Sequence, residues 1–155
     1  PIGYNGLSFI ADCLRNNRTL KSLSLHGIPI TEFGISNLAA TLKLNNCSLS
    51  ELDLDMTEFN DGLVKYLVEM LKYNTQLATL RLSHNRISKG AVKMLTAVLI
   101  RHNRSLKSLI LNNNSLIKDS SAKYFVHLMK KSVALLELDV KDCSLSEKQR
   151  IILYQ

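Results

Sequence analysis

Cysteine is scarce and scattered. The 155 residues hold three, Cys13, Cys47 and Cys143, an odd number without a close pair, so neither a disulfide framework nor a Cys-x-x-Cys metal knuckle can be built. Unpaired thiols point to a reducing, intracellular setting, the cytoplasm. Long apolar runs are missing as well. No stretch approaches the roughly 18 consecutive apolar residues of a membrane-spanning helix, and the first residues lack the charged-then-apolar order of a secretory signal, which predicts a soluble chain. There is no Gly-x-x-x-x-Gly-Lys phosphate loop and no Gly-x-Ser-x-Gly elbow. His26, His84, His102 and His127 include no pair at ligand spacing, and a Cys–His nucleophile would need assembly over long range. No metal, no cofactor and no enzymatic activity are therefore expected. What is present is 46% hydrophobic and 21% charged residues, which fit one domain without a long disordered tail, and a formal charge of +7.

The hydrophobic residues repeat. Leu20, Leu49, Leu77, Leu106 and Leu135 open five segments. Three residues on stand Leu23, Leu52, Leu80, Leu109 and Leu138, and two further Leu25, Leu54, Leu82, Leu111 and Val140. Ten positions after each opening leucine another apolar residue appears: Ile30, Phe59, Ile87, Leu116 and Leu145. The two-residue spacing is that of a short strand with one face on a core. The period then changes. Ile35, Leu38, Ala39 and Leu42 form one helical stripe, as do Leu63, Tyr66, Leu67 and Met70, then Ala91, Met94, Leu95 and Val98, then Ser121, Tyr124, Phe125 and Leu128. Each unit thus reads strand, turn, helix. Gly34, Gly62 and Gly90 are expected just before three helices, with Ser120 in the fourth, where the backbone approaches its neighbour. Asn17, Asn46, Asn74 and Asn103, with Ser132 as the exception, precede each strand leucine by three residues and are expected to end helices in the left-handed conformation. Asn17, Asn46, Asn103 and Asn113 also head Asn-x-Ser/Thr tripeptides, which this repeat grammar explains without glycosylation.

These residues resemble the leucine-rich repeats of the ribonuclease-inhibitor type, with units of 28 to 29 residues. The resemblance implies an α/β fold, a right-handed horseshoe-shaped solenoid with its parallel sheet concave and its helices convex. Stacking follows independently from physics, because no single unit can bury its own apolar stripe. One domain is expected over residues 1–155. It comprises a partial repeat in 1–18, in which Pro1-Ile2 and the following residues match Pro29-Ile30, then repeats from Leu20, Leu49, Leu77 and Leu106, and a terminal partial repeat from Leu135. The absence of a cap at the start reads as a fragment of a longer array. Ser146 and Gln149 have the form of a capping box for a helix holding Ile151, Ile152 and Tyr154, which is either a cap on the last unit or another repeat helix cut short. The family places asparagine or cysteine eight positions after the opening leucine, to satisfy turn backbone groups. Asn85, Asn114 and Cys143 comply, Thr57 does in part, and Ile28 does not, so an irregular first turn is expected.

Second, fourth and sixth positions after the opening leucine should point out of the sheet, away from the core. The candidate binding residues there are Glu51, Asp53, Asp55, Arg81, Ile110, Asn112, Glu137, Asp139 and Lys141. Five acids face two bases, while the other positions hold 18 bases and 8 acids. The chain is polarised, acidic on one face and basic elsewhere. Glu51, Asp53 and Asp55 are like charges on one strand, mutually unfavourable by tenths of a kcal/mol or so, and a partner with a basic segment would relieve them. Outer cations such as Arg15, Lys43, Lys72, Arg101, Lys130 and Lys131 fall near helix ends, where the helix dipole accounts for them. Without interleaved aromatics, nucleic acid and membrane partners are disfavoured. Five strands about 4.8 Å apart and about 17 Å long offer a patch of roughly 320 Å², part of the roughly 800 Å² a partner covers in a standard interface. The expected function is a non-catalytic protein-binding scaffold acting through the concave face. The alternatives are a GTPase-activating type of leucine-rich-repeat regulator, and a binder of anionic surfaces, nucleic acid or membrane, through convex lysines and arginines.

Overall fold

Each leucine triplet folds as a three-residue strand, and each apolar stripe as a helix one connection later. The computed structural model describes residues 5–45 and 48–154, so the readings on Pro1, Ile2, Asn46 and Cys47 lie outside the described residues. Helix α1 (Gly6–Leu14) leads into β1 (Ser22–Ser24), α2 (Glu32–Lys43), β2 (Glu51–Asp53), α3 (Asp61–Tyr73), β3 (Thr79–Arg81) and α4 (Lys89–Arg101). The chain continues through β4 (Ser108–Ile110), α5 (Asp119–Lys131), β5 (Glu137–Asp139) and α6 (Glu147–Tyr154). Five parallel strands pair in sequence order, and the register sets Leu23, Leu52, Leu80, Leu109 and Leu138 side by side. Consecutive helices pack on one another along the other side. This is the stacked strand–helix solenoid that the repeat predicts.

The core is a single continuous layer between sheet and helices. Leu52, Leu80, Leu109, Ile35, Leu38, Leu67, Leu95 and Phe125 are fully buried within it. The helix stripes and the strand leucines belong to one buried cluster, as a stack requires in which each unit's burial depends on its neighbours. Leu20, in the outermost strand segment, is 40% exposed, whereas Leu49, Leu77 and Leu106 are buried. None of the described helices is long and apolar enough to cross a membrane.

Several expectations are corrected. The glycines lie inside the first helical turn, where the N–H groups of Gly34, Gly62 and Gly90 donate to the capping side chains of Thr31, Asn60 and Ser88. Close approach is the reason at Gly90: a Cβ there would sit 2.7 Å from Asp61 Oδ2. That carboxylate accepts bonds from Ser88 N (2.9 Å) and Ala91 N (3.2 Å), joining the start of α3 to the start of α4. Among the described residues the helix-ending asparagines Asn17, Asn74 and Asn103 are not left-handed. Asn74 is extended (φ −70°, ψ 131°), and its side chain is what matters: Oδ1 accepts from Leu77 N and Gln76 N while Nδ2 donates to Leu42 O. Asn103 repeats this with Leu106 N, Ser105 N and Leu71 O, and Asn17 accepts from Leu20 N and Thr19 N. The buried amide of Asn103 thus serves mainly the backbone, with Ser105 Oγ as its one side-chain partner among the described residues.

Left-handed residues recur seven positions after the opening leucine instead, at Gly27, Met56, His84, Asn113 and Asp142 (φ 54° to 73°). Glycine takes that conformation freely, which lets the first turn keep the backbone path of the others although Ile28 brings no polar side chain. Leu116 is 47% exposed and Ile117 takes the buried place, because the fourth turn is one residue longer and its helix starts at Asp119. Ser146 forms no reciprocal box with Gln149. Its N–H and side chain both bond to Asp119, and those hydrogen bonds hold the Asp119 carboxyl below the usual range. In α6, Ile151, Ile152 and Tyr154 are exposed and Leu153 packs against the core.

Candidate functional site

Alternation puts the second and fourth positions of every repeat on the sheet face opposite the helices, and the left-handed residue fixes where the sixth points. The candidate residues do lie along this face, in three zones. At β1 and β2, Asp53 accepts from Ser24 Oγ (2.8 Å) and from Asp55 N (2.9 Å). Asp55 is buried: it accepts from Ser83 N (2.5 Å) and lies 3.4 Å from Arg81 Nε. Its charge is therefore satisfied within the chain, unlike that of half-buried Glu51 beside it.

The middle zone carries no acid. Thr79, Arg81, Ser83, Ser108 and Ile110 line it, with Ile110 buried and the Arg81 side chain 41% exposed. Ser83 Oγ is buried there without a hydrogen-bond partner. At β4 and β5 the acids return. Glu137 accepts from Ser108 Oγ (2.6 Å), and Asp139 from Asn112 Nδ2 (3.0 Å). Lys141 gives its N–H to Asn112 Oδ1 and sets its ammonium 3.9 Å from Asp139.

Most acids are thus oriented by a donor in a neighbouring strand or turn. Such a donor fixes the carboxylate without covering it, so Asp53, Glu137 and Asp139 present ordered negative charge to solvent, Glu51 adds a charge that no donor among the described residues holds, and Asp55 and Ile110 serve as floor. His26 was readable only as an outward position. Its pairing beside Asp55 brings it into one cluster with Asp53 and Asp55, ligand atoms lying within 4.8 Å of one another. In that cluster the carboxylate oxygens already accept from Ser24 Oγ, Ser83 N and Asp55 N, and Arg81 supplies the positive charge through its ion pair with Asp55. The serines that aim the acids could have been found by reading across repeats at equal offsets rather than along the chain.

The sulfur chemistry is structural. Cys143 Sγ lies buried, 3.3 Å from the Leu111 carbonyl to which it donates, and burial pushes its thiol up from the ordinary value. Cys13 is exposed on α1. A thiol reagent applied to the native chain is expected to modify Cys13 and to spare Cys143 until denaturant is added, as peptide mass spectrometry would record. Equal labelling of the two under native conditions would contradict the buried placement.

Residues 102–126 match the Leucine Rich repeat family. Human NACHT, LRR and PYD domains-containing protein 5 is 27% identical over 173 residues, covering 94% of this chain and 14% of that protein. Human NACHT, LRR and PYD domains-containing protein 12 is 39% identical over 98 residues, covering 63% of the chain and 9% of that protein. The mouse Ribonuclease inhibitor is 27% identical over 139 residues, 90% of the chain and 30% of the inhibitor. The chain therefore spans a small part of the curated relatives it matches. Among solved structures, the tropomodulin C-terminal domain of Caenorhabditis elegans superposes with a TM-score of 0.79 at 15% identity, covering 96% of this chain and 89% of that one. Leiomodin-1 Actin-Binding Site 2 does so with a TM-score of 0.79 at 16% identity, covering 98% and 86%. Both share the fold.

Proposed function

Because the chain is a leucine-rich-repeat array of the ribonuclease-inhibitor type, we propose that it is a non-catalytic scaffold that takes a basic segment of a partner protein on the outer face of its sheet, the concave side of the solenoid, in a reducing compartment of the cell. The observation that carries this reading is the charge separation: Glu51, Asp53, Glu137 and Asp139 reach solvent on the sheet face of a chain whose formal charge is +7, while Arg81 there is paired with buried Asp55. Ordered carboxylates in a rigid sheet offer a cation fixed partners at little cost in side-chain entropy, and such a surface binds with little change of shape. Arg81 and Ile110, in the acid-free middle, give the partner segment a place for an acceptor and an apolar contact between two acidic zones.

The test is charge reversal that spares the buried carboxylate. Glu51→Lys, Asp53→Lys, Glu137→Lys and Asp139→Lys, combined, are expected to weaken binding of an arginine- and lysine-rich peptide by about tenfold or more, since exposed ion pairs contribute about 0.2–1 kcal/mol each. Asp55 stays unchanged because its loss would disturb the fold. Unaltered affinity in fluorescence anisotropy at physiological salt would overturn the reading.

A further inference from the structure

The helix side of the solenoid is built from repeats too, and a shallow groove recurs between α2 and α3, α3 and α4, and α4 and α5. Between α2 and α3 it measures about 220 Å³, with Ala39, Ala40 and Met70 in its floor. Its charged rim closes on itself: Lys43 Nζ bonds to Glu69 Oε1 at 2.7 Å and lies 4.4 Å from the Tyr73 ring. Nearby, Lys65 Nζ and Tyr66 Oη both bond to Glu32 Oε1. That stretch of surface is electrically neutral, since Lys43 and Lys65 are paired with Glu69 and Glu32 across the two helices.

The next two grooves have the same apolar floor and a different rim. The one between α3 and α4 holds about 290 Å³ over Val68, Met94 and Ala97, under Lys72, Arg101 and His102, with Glu69, already bonded to Lys43, as the one acid lining it among the described residues. The one between α4 and α5 holds about 190 Å³ over Ala97 and Ile100, under Lys93, Arg101 and His127. Helices α4 and α5 carry Lys89, Lys93, Arg101, Lys123, Lys130 and Lys131 against Asp119 alone, and Asp119 is held by Ser146. Among the described residues Lys72, Lys93 and Arg101 join no ion pair. The helix dipole accounts for Arg101 in a last turn; it disfavours Lys89 in a first turn and leaves mid-helix Lys93 unexplained.

Volumes under the roughly 300–1,000 Å³ of small-molecule pockets suit single side chains better than a ligand. A recessed apolar floor between cations is out of reach of a flat bilayer surface, and a nucleic-acid backbone has no apolar group to fill it. The aromatic Tyr124 is half-buried with Lys123 Nζ 5.2 Å from its ring centre, which leaves no free platform for a base. We propose that α4 is the centre of a second docking face, where an acidic segment of a partner protein lays apolar side chains into the two flanking grooves while its carboxylates meet Lys72, Lys93 and Arg101. Ala97, shared by both grooves at the crest of α4, keeps the ridge between them low enough for one segment to straddle.

The experiment is selection of short random peptides against the whole chain, followed by anisotropy titration of the winners. Peptides rich in Asp and Glu with Leu or Phe at helical spacing should be recovered, and Lys93→Glu with Arg101→Glu should weaken them about tenfold or more. Glu51→Lys with Asp53→Lys on the sheet face should leave their affinity within about a factor of two, additivity holding for well-separated sites, which separates this face from the function proposed above. Ala97→Phe, which fills the grooves without changing charge, should also abolish binding. The proposal is overturned if no acidic-apolar class emerges, if Ala97→Phe binds as well as the parent, or if duplex RNA or phosphatidylserine vesicles bind at the same residues while the peptides do not.

Discussion

Replacing Asn85 with alanine is expected to cost about 3–4 kcal/mol, more than removing any exposed charge of the chain. The side chain spans two turns. Oδ1 accepts from Thr57 N (3.0 Å) and Phe59 N (2.9 Å), and Nδ2 donates to Leu54 O (2.7 Å) and Ser83 O (3.1 Å). All of these groups are buried, so none regains water when the amide is deleted, and a buried unsatisfied group costs about 1–3 kcal/mol. Leu54 O keeps one donor, Thr57 Oγ1, which holds the total below the sum of four losses. At roughly 2–4 °C per kcal/mol for a chain of this size, the melting temperature should fall by roughly 6–16 °C. Asn85→Cys should fall between the two, since Cys143 makes the single bond to a carbonyl that a thiol can make at this position. Asn112→Ala, on the half-exposed sheet face, should cost about 1 kcal/mol or less. A melting curve in which Asn85→Ala and Asn112→Ala are indistinguishable would refute this assignment.

That asparagine was legible in the sequence because the repeat fixes its position, and one turn read correctly is then read in every repeat that keeps the spacing. The strand leucines were legible for the same reason: Leu52, Leu80 and Leu109 occupy equal offsets and become neighbours in the sheet. Legibility ends where two residues satisfy the same pattern. Leu116 and Ile117 are adjacent and both apolar, so the pattern tolerates either, and only the extra residue in the fourth turn decides that Ile117 goes inside. It ends again where a residue type has two uses. Asparagine suits a left-handed residue and also an Asx bond to the backbone; Asn74 and Asn103 serve the second use, and Asn113 the first. Alternation placed Asp55 outward but carried no information about depth, which depends on Arg81 and Ser83 of the following repeat folding over it. The contrast between the neutral α2–α3 groove and the cationic grooves beside α4 was equally hidden, because it rests on which lysines reach an acid across helices.

Leu80→Ala and Leu23→Ala delete the same atoms at the same register position, yet the first is expected to cost about 2–5 kcal/mol and the second no more than about half as much. Leu80 is fully buried between Leu52 and Leu109, while Leu23 is only partly buried and has a strand neighbour on one side, Leu52. In a stack whose stability is a sum of unit terms and nearest-neighbour interfaces, a cavity at Leu80 weakens two interfaces and one at Leu23 weakens one. The consequence for dynamics is spatial as well as energetic. Amide hydrogen exchange in Leu23→Ala should accelerate in α1 and β1 and stay near parental rates from β3 onward, because among the described residues β1 pairs with β2 alone and its unit can open while the rest stays folded. In Leu80→Ala protection should fall throughout β2, β3 and β4, which carry Asp53 and Arg81 of the proposed binding face. Binding of a basic peptide to that face should therefore suffer in Leu80→Ala and survive in Leu23→Ala, although neither leucine reaches the surface that the peptide touches. Equal destabilisation by the two substitutions, or loss of protection across all five strands from Leu23→Ala, would mean that the repeats fold as one indivisible unit rather than as a chain of interfaces.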